Sequence, residues 1–246
     1  MRRGALAAVA GLLLVGGAAI AVKVSAPQPA TNEAQPATRL PKLALLTSLP
    51  LLFPEFFSLE GGGSPALALL DRHYEVDPIA VADAASLSGK PLLLMAHPRA
   101  QPAEVLVELD GWVRAGGHLL LLADPRLDWP SERPLGDSLR PPPDFADTGL
   151  LAHWGLTLDG PTVDGPAARR VGDEEILFVS PGRLTSRGTC RISDGGLVAR
   201  CRIGLGAVTV IADADFLNLG GPGAIDGPTA NNLELLIREL SRLGAR

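Results

Sequence analysis

Polar and charged side chains that could bind a ligand follow several apolar runs, at the points where strands are expected to end. Ligands of open parallel sheets bind beyond the carboxyl ends of the strands, so these positions form one candidate site. A histidine beside two or three carboxylates could bind a cation or transfer protons. The candidate ligand-binding residues are Ser48, with Thr47 beside it, His97, Arg99, Asp124, Asp213 and Asp215.

The same residue types also have a structural use, because any doubly wound sheet has polar side chains that cap its strand and helix ends. Asp213 and Asp215 would reach this edge only if the strand ending at Ile211 runs parallel to its neighbours. The sequence contains no P-loop, no G-x-S-x-G and no H-E-x-x-H motif. We therefore predict no catalytic residue, no cofactor and no metal, and both the ligand-binding and the capping interpretation stay open.

The composition of the chain argues against some classes of partner and site. The chain has 246 residues and a formal net charge of −5, which argues against nucleic acid, because phosphate backbones favour a basic face. Without residues 1–26 the chain keeps 19 basic and 27 acidic residues, so the net charge of the remainder is −8. Its 2 cysteines exclude a disulfide-dense scaffold and a four-cysteine zinc site.

The N-terminal segment predicts a location at the inner membrane. Two arginines precede residues 4–22, which carry no charge, and Lys23 ends the run. Residues 1–26 are therefore a membrane anchor, or alternatively a signal peptide cleaved after Ala21. Basic residues before a span stay cytoplasmic, so we expect the C-terminal domain in the periplasm, as a single-pass protein or secreted after cleavage. Residues 27–42 are rich in proline and predict a linker.

Residues 43–243 alternate apolar runs with amphipathic stretches, which predicts an α/β domain with a mainly parallel sheet and helices on both faces. Ser64 and Pro65 are expected to begin the first helix. The predicted strands of this part are 43–47, 74–80, 91–96, 118–123 and 207–212. The predicted helices that follow the first are 101–115, 147–154 and 229–243, the last with Thr229 as a possible cap. Residues 82–88 form either a short helix or a loop.

Two segments interrupt the alternation. Residues 125–145 form a proline-rich insertion, in which Trp129 is either a partner contact or a side chain folded back on the core. Short strands separated by glycines predict a small antiparallel hairpin region at about residues 175–205.

A tight turn at Gly195-Gly196 would place the two cysteines opposite each other. Counting outward from that turn pairs Arg191 with Arg200 and then Cys190 with Cys201. Cross-strand Cβ atoms lie about 4.5–5.5 Å apart, close to what a disulfide requires. We predict the Cys190–Cys201 disulfide in an oxidising periplasm, with two free buried thiols as the alternative.

Several motifs between about residues 40 and 243 resemble the GldG-type auxiliary domain of uncharacterised ABC transport systems. Residues 91–125 resemble that family's apolar strand, helix ending in V-x-x-G-G and strand ending in D-P. Residues 150–156 resemble its L-L-x-x-W-G-L motif, and residues 206–217 its G-x-V-V-V-x-G-D-S-D-F-L motif. Asn231-Asn232 at the start of the last helix also fits, and a related group of bacterial domains of unknown function has similar motifs.

The resemblance implies a flavodoxin-like or class I glutamine-amidotransferase-like fold without the amidotransferase catalytic residues. It also implies a non-catalytic, membrane-tethered periplasmic accessory domain that works with an ABC-type permease and ATPase. Members often have a second membrane span after the domain, whereas this sequence ends at Arg246, so we expect a separate small subunit. The alternative function is a stand-alone periplasmic solute- or glycan-binding domain. A less favoured one is a periplasmic hydrolase that uses His97 with Asp124 or Asp213.

Overall fold

The computed structural model describes residues 40–53, 55, 63–220 and 223–245. The anchor or signal segment predicted for residues 1–26 and nearly all of the predicted linker lie outside these residues. Within the part of the chain that is described, no helix is long and apolar enough to span a bilayer.

The described chain contains eleven strands and five helices. In chain order they are β1 (Lys42–Thr47), α1 (Pro65–His73), β2 (Glu75–Pro78), α2 (Ala84–Leu87), β3 (Leu92–Ala96), α3 (Ala103–Arg114), β4 (His118–Leu122), α4 (Leu150–His153), β5 (Leu156–Asp159), β6 (Pro166–Val171), β7 (Glu174–Val179), β8 (Arg183–Ser186), β9 (Arg191–Ser193), β10 (Val198–Ile203), β11 (Gly206–Ile211) and α5 (Asn232–Gly244). Two short 3-10 turns follow β9 and β11, at Asp194–Gly196 and Asp215–Leu217.

A seven-stranded sheet forms the centre of the fold, in the order β2-β1-β3-β4-β11-β10-β9. The first five strands of this row are parallel, whereas β10 is antiparallel to both of its neighbours. The predicted α/β class with a mostly parallel sheet is therefore confirmed. The strand ending at Ile211 joins this sheet beside β4, as the sequence allowed.

Helices cover both faces of the sheet, and the alternation of strand residues builds one core on each face. In β1, Leu43 and Leu45 face the core that contains α1 and α5, whereas Ala44 and Leu46 face the core that contains α2 and α3. Successive side chains of a strand point to opposite faces, so a strand covered on both sides must be apolar throughout. Every residue of β3 is buried for this reason.

Residues next in sequence determine where α1 begins, whereas residues distant in sequence determine where α5 begins. The Ser64 hydroxyl accepts a hydrogen bond from the Leu67 amide, and Pro65 occupies the first turn, as predicted. Helix α5 begins at Asn232, three residues after the predicted start. The reason is tertiary, because the buried Asn232 side chain forms hydrogen bonds with the backbone N–H and C=O of Leu177 and with the carbonyl of Phe216.

The predicted hairpin region is divided among three sheets. Strands β6 and β7 pair with each other, β5 pairs with β8, and β9 and β10 extend the main sheet. The sequence analysis did not include β5 and β6. Strand β6 carries a proline and two arginines in six residues, and β5 pairs with a strand more than 20 residues away, so neither has a strong local signal.

The two cysteines form the predicted disulfide. The register pairs Arg191 with Arg200, and one position further Cys190 and Cys201 are bonded, with Cα atoms 4.2 Å apart. Both cysteines belong to the core on the α3 side, together with Ala199. The disulfide therefore connects the edge strand of the main sheet to its neighbour from within the core.

Replacing both cysteines by alanine should lower the free energy of unfolding by about 2–3 kcal/mol, because the unfolded chain regains the entropy of a short closed loop. Urea titration measures this loss. As a control, a reducing agent should destabilise the wild-type protein by a similar amount and leave the Cys190→Ala/Cys201→Ala variant unchanged. Equal stability of wild type and variant in the absence of reductant would contradict the prediction.

Candidate functional site

The parallel strands bring the polar residues of the sequence prediction to one edge of the sheet. Thr47 and Ser48 follow β1, His97 and Arg99 follow β3, and Asp124 follows β4. Asp213 and Asp215 reach the same edge because β11 is parallel to β4.

The carboxylate of Asp124 connects the ends of two strands. It is fully buried, and its Oδ1 accepts a hydrogen bond of 2.9 Å from the Arg126 amide. Its Oδ2 accepts hydrogen bonds of 2.8 Å from the Ala214 amide and 3.3 Å from the Asp215 amide. The side chain therefore caps the turn after its own strand and holds the segment that follows β11.

Asp213 and Asp215 extend this network to other segments. Asp213 accepts hydrogen bonds from the amides of Phe216, at 2.9 Å, and Val179, at 3.0 Å. Asp215 Oδ2 accepts one of 2.7 Å from the Asp128 amide, whereas its buried Oδ1 has no hydrogen-bond partner among the described residues. Most carboxylate oxygens of this cluster thus hold backbone of the same chain.

Burial raises the pKa of each of these three carboxyl groups. Desolvation is the largest cause, and it raises the pKa of Asp124 to about 7 and that of Asp215 to about 8. Desolvation and the neighbouring charges of Asp124 and Asp215 raise the pKa of Asp213 well above its ordinary value. Across the described ranges, no group of three or more His, Cys, Asp or Glu side chains could hold a metal ion.

The hydrogen bond of His97 connects it to the insertion and not to the three carboxyl groups. It is fully buried with a positive φ of 46°, and its Nε2 lies 2.9 Å from the carbonyl oxygen of Pro142. A carbonyl only accepts, so Nε2 carries the hydrogen. Burial lowers the pKa of His97, although the hydrogen bond to Pro142 opposes this effect. His97 is therefore a neutral donor to the proline-rich insertion.

The insertion is held against the sheet edge by charged side chains from two other segments. The Arg99 guanidinium donates to the carbonyl oxygens of Ser138, at 2.7 Å, and Arg140. Glu55 Oε1 accepts hydrogen bonds of 2.8 Å from the Glu132 amide and 3.1 Å from the Arg133 amide. Two of the predicted ligand residues, His97 and Arg99, thus bind the backbone of residues 125–145.

A cavity of about 300 Å³ remains between the ends of β1 and β3. The Thr47 and Ser48 hydroxyls line it, and they donate to the carbonyl oxygens of Ala96 and His97 and so connect the two strand ends. The other residues that line it are Leu49, Pro50, Leu52, Phe53, Glu55, Arg99, Arg133, Ser138 and Leu139. A neighbouring cavity of about 320 Å³ lies under the insertion and is lined by the half-buried Trp129, which packs against the core on the α1 and α5 side.

Sequence reasoning missed residues that position this edge. Ser180 is fully buried with a φ of 49°, and its hydroxyl donates to Asp128 at 2.5 Å and accepts from the Gly165 amide at 2.9 Å. Glu55, described above, was also missed. The only sequence signal was that each is an isolated polar residue in or beside an apolar run, and their partners lie 15 to 78 residues away.

No known protein family and no curated protein sequence matches this chain. Solved structures to which this chain is similar include the exo-beta-1,4-mannosidase Op5Man5 from Opitutaceae bacterium strain TAV5, at 16% identity and a TM-score of 0.46, over 84% of this chain and 35% of that one. The mmIFT52 N-terminal domain is similar at 14% identity and a TM-score of 0.49, over 81% of this chain and 97% of the domain. The cytoplasmic protein STM3548 from Salmonella typhimurium is similar at 9% identity and a TM-score of 0.47, over 82% and 98%. The chain spans about a third of the mannosidase, and at these identities and TM-scores the similarities identify neither a family nor an activity.

Replacing Asp215 by asparagine should remove part of the pH dependence of stability. The folded state raises the pKa of Asp215 from 3.8 to about 8, so the folded chain keeps a proton that the unfolded chain releases. The contribution of Asp215 to stability is therefore greatest at acid pH, and the stability of the wild type should fall, relative to the variant, by up to about 1.4 kcal/mol per pH unit as the pH rises towards 8.

Urea titrations between pH 5 and 9 measure this difference. The matched control is Asp173→Asn, which neutralises an exposed carboxylate and should give a curve parallel to that of the wild type. A curve for Asp215→Asn that also runs parallel to the wild type would show that this carboxyl titrates normally.

Proposed function

We propose that this protein is a non-catalytic periplasmic accessory domain, tethered to the inner membrane and associated with an ABC-type permease and ATPase. The observation that carries the non-catalytic part is the use of His97, Asp124 and Asp213. Each binds backbone groups of the same chain, and the hydrolase alternative needs the same three residues for proton transfer. A group that caps a strand end cannot leave its partners without a cost to the fold.

The order of the strands supports the flavodoxin-like fold implied by the resemblance to GldG-type domains. Parallel strands in the order β2-β1-β3-β4-β11 correspond to the flavodoxin-like order 2-1-3-4-5. In that fold the ligand crevice lies between the first and third strands. Here the insertion covers this edge of the sheet, which suits a docking domain better than an open enzyme site.

The disulfide supports export to the periplasm. Disulfides persist in oxidising compartments and are rare in a reducing cytosol, and Cys190 and Cys201 form one inside the core. The uncharged run of residues 4–22 then serves as the membrane tether, or as a signal if it is cleaved.

Affinity purification of the full-length tagged chain from mild-detergent extracts of its native host's membranes tests this proposal. We expect an ABC permease and its ATPase to be recovered together. Trp129 is the proposed contact, so Trp129→Ala should lower their recovery about tenfold or more, as aromatic anchors of interfaces do. Val107→Ala, at an exposed apolar position on α3, is the control and should recover both proteins normally. Purification that yields neither protein from any variant would refute the association.

A second candidate function is the binding of a small solute or glycan, and the cavity between β1 and β3 favours it. The cavity combines apolar walls with the guanidinium groups of Arg99 and Arg133 and the carboxylate of Glu55. Apolar walls with a few charged groups are the usual composition of a small-molecule site.

A thermal-shift screen of oligosaccharides and small carboxylated solutes tests this function, since binding must raise the melting temperature. A true ligand should stabilise the wild type and the control Arg169→Gln, but have little effect on Arg133→Gln. A screen without any stabilising compound, or equal stabilisation of all three proteins, would count against this candidate.

A further inference from the structure

A groove lined by arginines lies on the sheet face that α5 covers, at strands β9, β10 and β11 and away from the strand-end edge described above. We propose that this groove is a binding site for a phosphate-type oxyanion. Its volume is about 230 Å³, which is enough for such an anion and a small attached group. The polar residues that line it are Thr189, Arg191, Arg200, Arg202, Thr209 and Arg242.

The strand register explains why these side chains converge. Arg200 is opposite Arg191 on one side and Thr209 on the other, so the three side chains project from the same face of the sheet. Arg202 lies two residues further along β10 and shares that face. This is the face covered by α5, and Arg242 near the end of α5 completes the ring. Cationic groups from two strands and a helix therefore surround one space.

A buried carboxylate fixes the base of the groove. Glu239 is fully buried, and its two oxygens accept hydrogen bonds from Arg200 Nε at 3.1 Å and Nη2 at 2.7 Å. Arg242 contacts the same carboxylate at 3.2 Å. A bidentate pair of this kind holds a guanidinium in one orientation. Glu239 offsets about one of the two positive charges that contact it, and Arg200 Nη1 also donates to Ser193 Oγ at 2.9 Å. The exposed Arg191 and Arg202 therefore supply most of the free charge of the groove.

The exposed arginines of the groove are not paired with acidic side chains. Arg191 and Arg202 are exposed and form no ion pair within the described parts of the chain. Around the groove, four arginines face the carboxylates of Glu239 and Asp194, although the chain as a whole has a net charge of −5. A local excess of positive charge in an acidic protein attracts anions to this place.

The side chain of Thr209 points to a ligand independently of the charges. Only 2% of Thr209 is exposed, and it is the one polar residue of β11. Its hydroxyl lines the groove and has no hydrogen-bond partner among the residues that the structure describes. The hydroxyl is therefore free to donate to a group bound in the groove. A bound oxyanion would accept this hydrogen bond together with those of the arginines.

Phosphate fits this arrangement better than a carboxylate does. Its oxygens are directed tetrahedrally and can accept from donors on β9, β10 and α5 at the same time, whereas a carboxylate offers its oxygens in a single plane. The source of the group is either free inorganic phosphate or the phosphodiester of a lipid headgroup. Both present the same negatively charged oxygens.

Titration of the full-length chain with inorganic phosphate, at an ionic strength kept constant with chloride, tests the proposal. We expect the melting temperature to rise with phosphate more than with chloride. Arg191→Gln and Arg202→Gln should each weaken phosphate binding about tenfold or more, because each removes charge-assisted hydrogen bonds. Arg170→Gln, which removes an exposed arginine from β6, is the charge-matched control and should bind as the wild type does. A phosphate effect equal to that of chloride, or unchanged in Arg202→Gln, would overturn the proposal.

Thr209→Val separates a ligand-binding role from a structural one. Valine has the same shape without the hydroxyl, so we expect phosphate affinity to fall several-fold while the stability of the unliganded protein is kept or raised. Lower stability with unchanged phosphate affinity would contradict the proposed role of Thr209. Glycerophosphoglycerol, a soluble phosphodiester, identifies the source: tighter binding than inorganic phosphate supports a lipid headgroup, and weaker binding supports free phosphate. Failure of this site leaves the ABC-associated function untouched, because the two have separate tests.

Discussion

Where the buried strands end, backbone amides no longer pair with a neighbouring strand. They must find other hydrogen-bond acceptors inside this protein. The parallel strands are covered by helices on both faces, and residues 125–145 cover their carboxyl edge. The carboxylates of Asp124 and Asp213 supply the acceptors and join the ends of β4 and β11 to the segments around Arg126, Ala214 and Val179. The position of the hairpin region relative to the main sheet depends on these hydrogen bonds.

The same arrangement explains why the carboxyl edge is a poor place for acid–base chemistry. Three carboxyl groups in one dry region repel each other and lose their hydration, which raises their pKa values and favours the neutral form. His97 is turned away from them towards the Pro142 carbonyl. What remains accessible at this edge is the cavity beside Arg99, whose guanidinium also holds the insertion.

The arginine groove is built from different forces in another part of the fold. At the carboxyl edge, carboxyl groups are buried, their pKa values are raised by desolvation, and backbone amides donate hydrogen bonds to them. At the groove, one buried carboxylate, Glu239, is surrounded by guanidinium groups, and positive charge remains at the surface. The two places therefore favour different partners: a docking segment or a small solute at the covered edge, and an oxyanion at the groove.

Local patterns in the sequence were sufficient for the features whose partners are close along the chain. The apolar runs predicted the strands of the parallel sheet, Ser64 predicted the start of α1, and a tight turn predicted the Cys190–Cys201 pair. In each case the side-chain period, or a short closed turn, determines the outcome. The later start of α5 and the pairing of β5 with β8 lay beyond local patterns, because distant side chains and strands decide them.

In the candidate site, too, some features follow from local sequence patterns and others only from tertiary packing. The sequence by itself placed Ser48, His97 and Asp124 at the carboxyl edge, because the parallel strands before them must end on one side. The structure decided that Asp213 and Asp215 also reach it, because β11 is parallel to β4. Only the tertiary structure decided what each residue binds there: His97 and Arg99 bind the insertion, and Asp124 holds the segment after β11. These partners are 39 to 90 residues apart in sequence. Hydrogen bonds over such separations depend on packing that no local pattern contains.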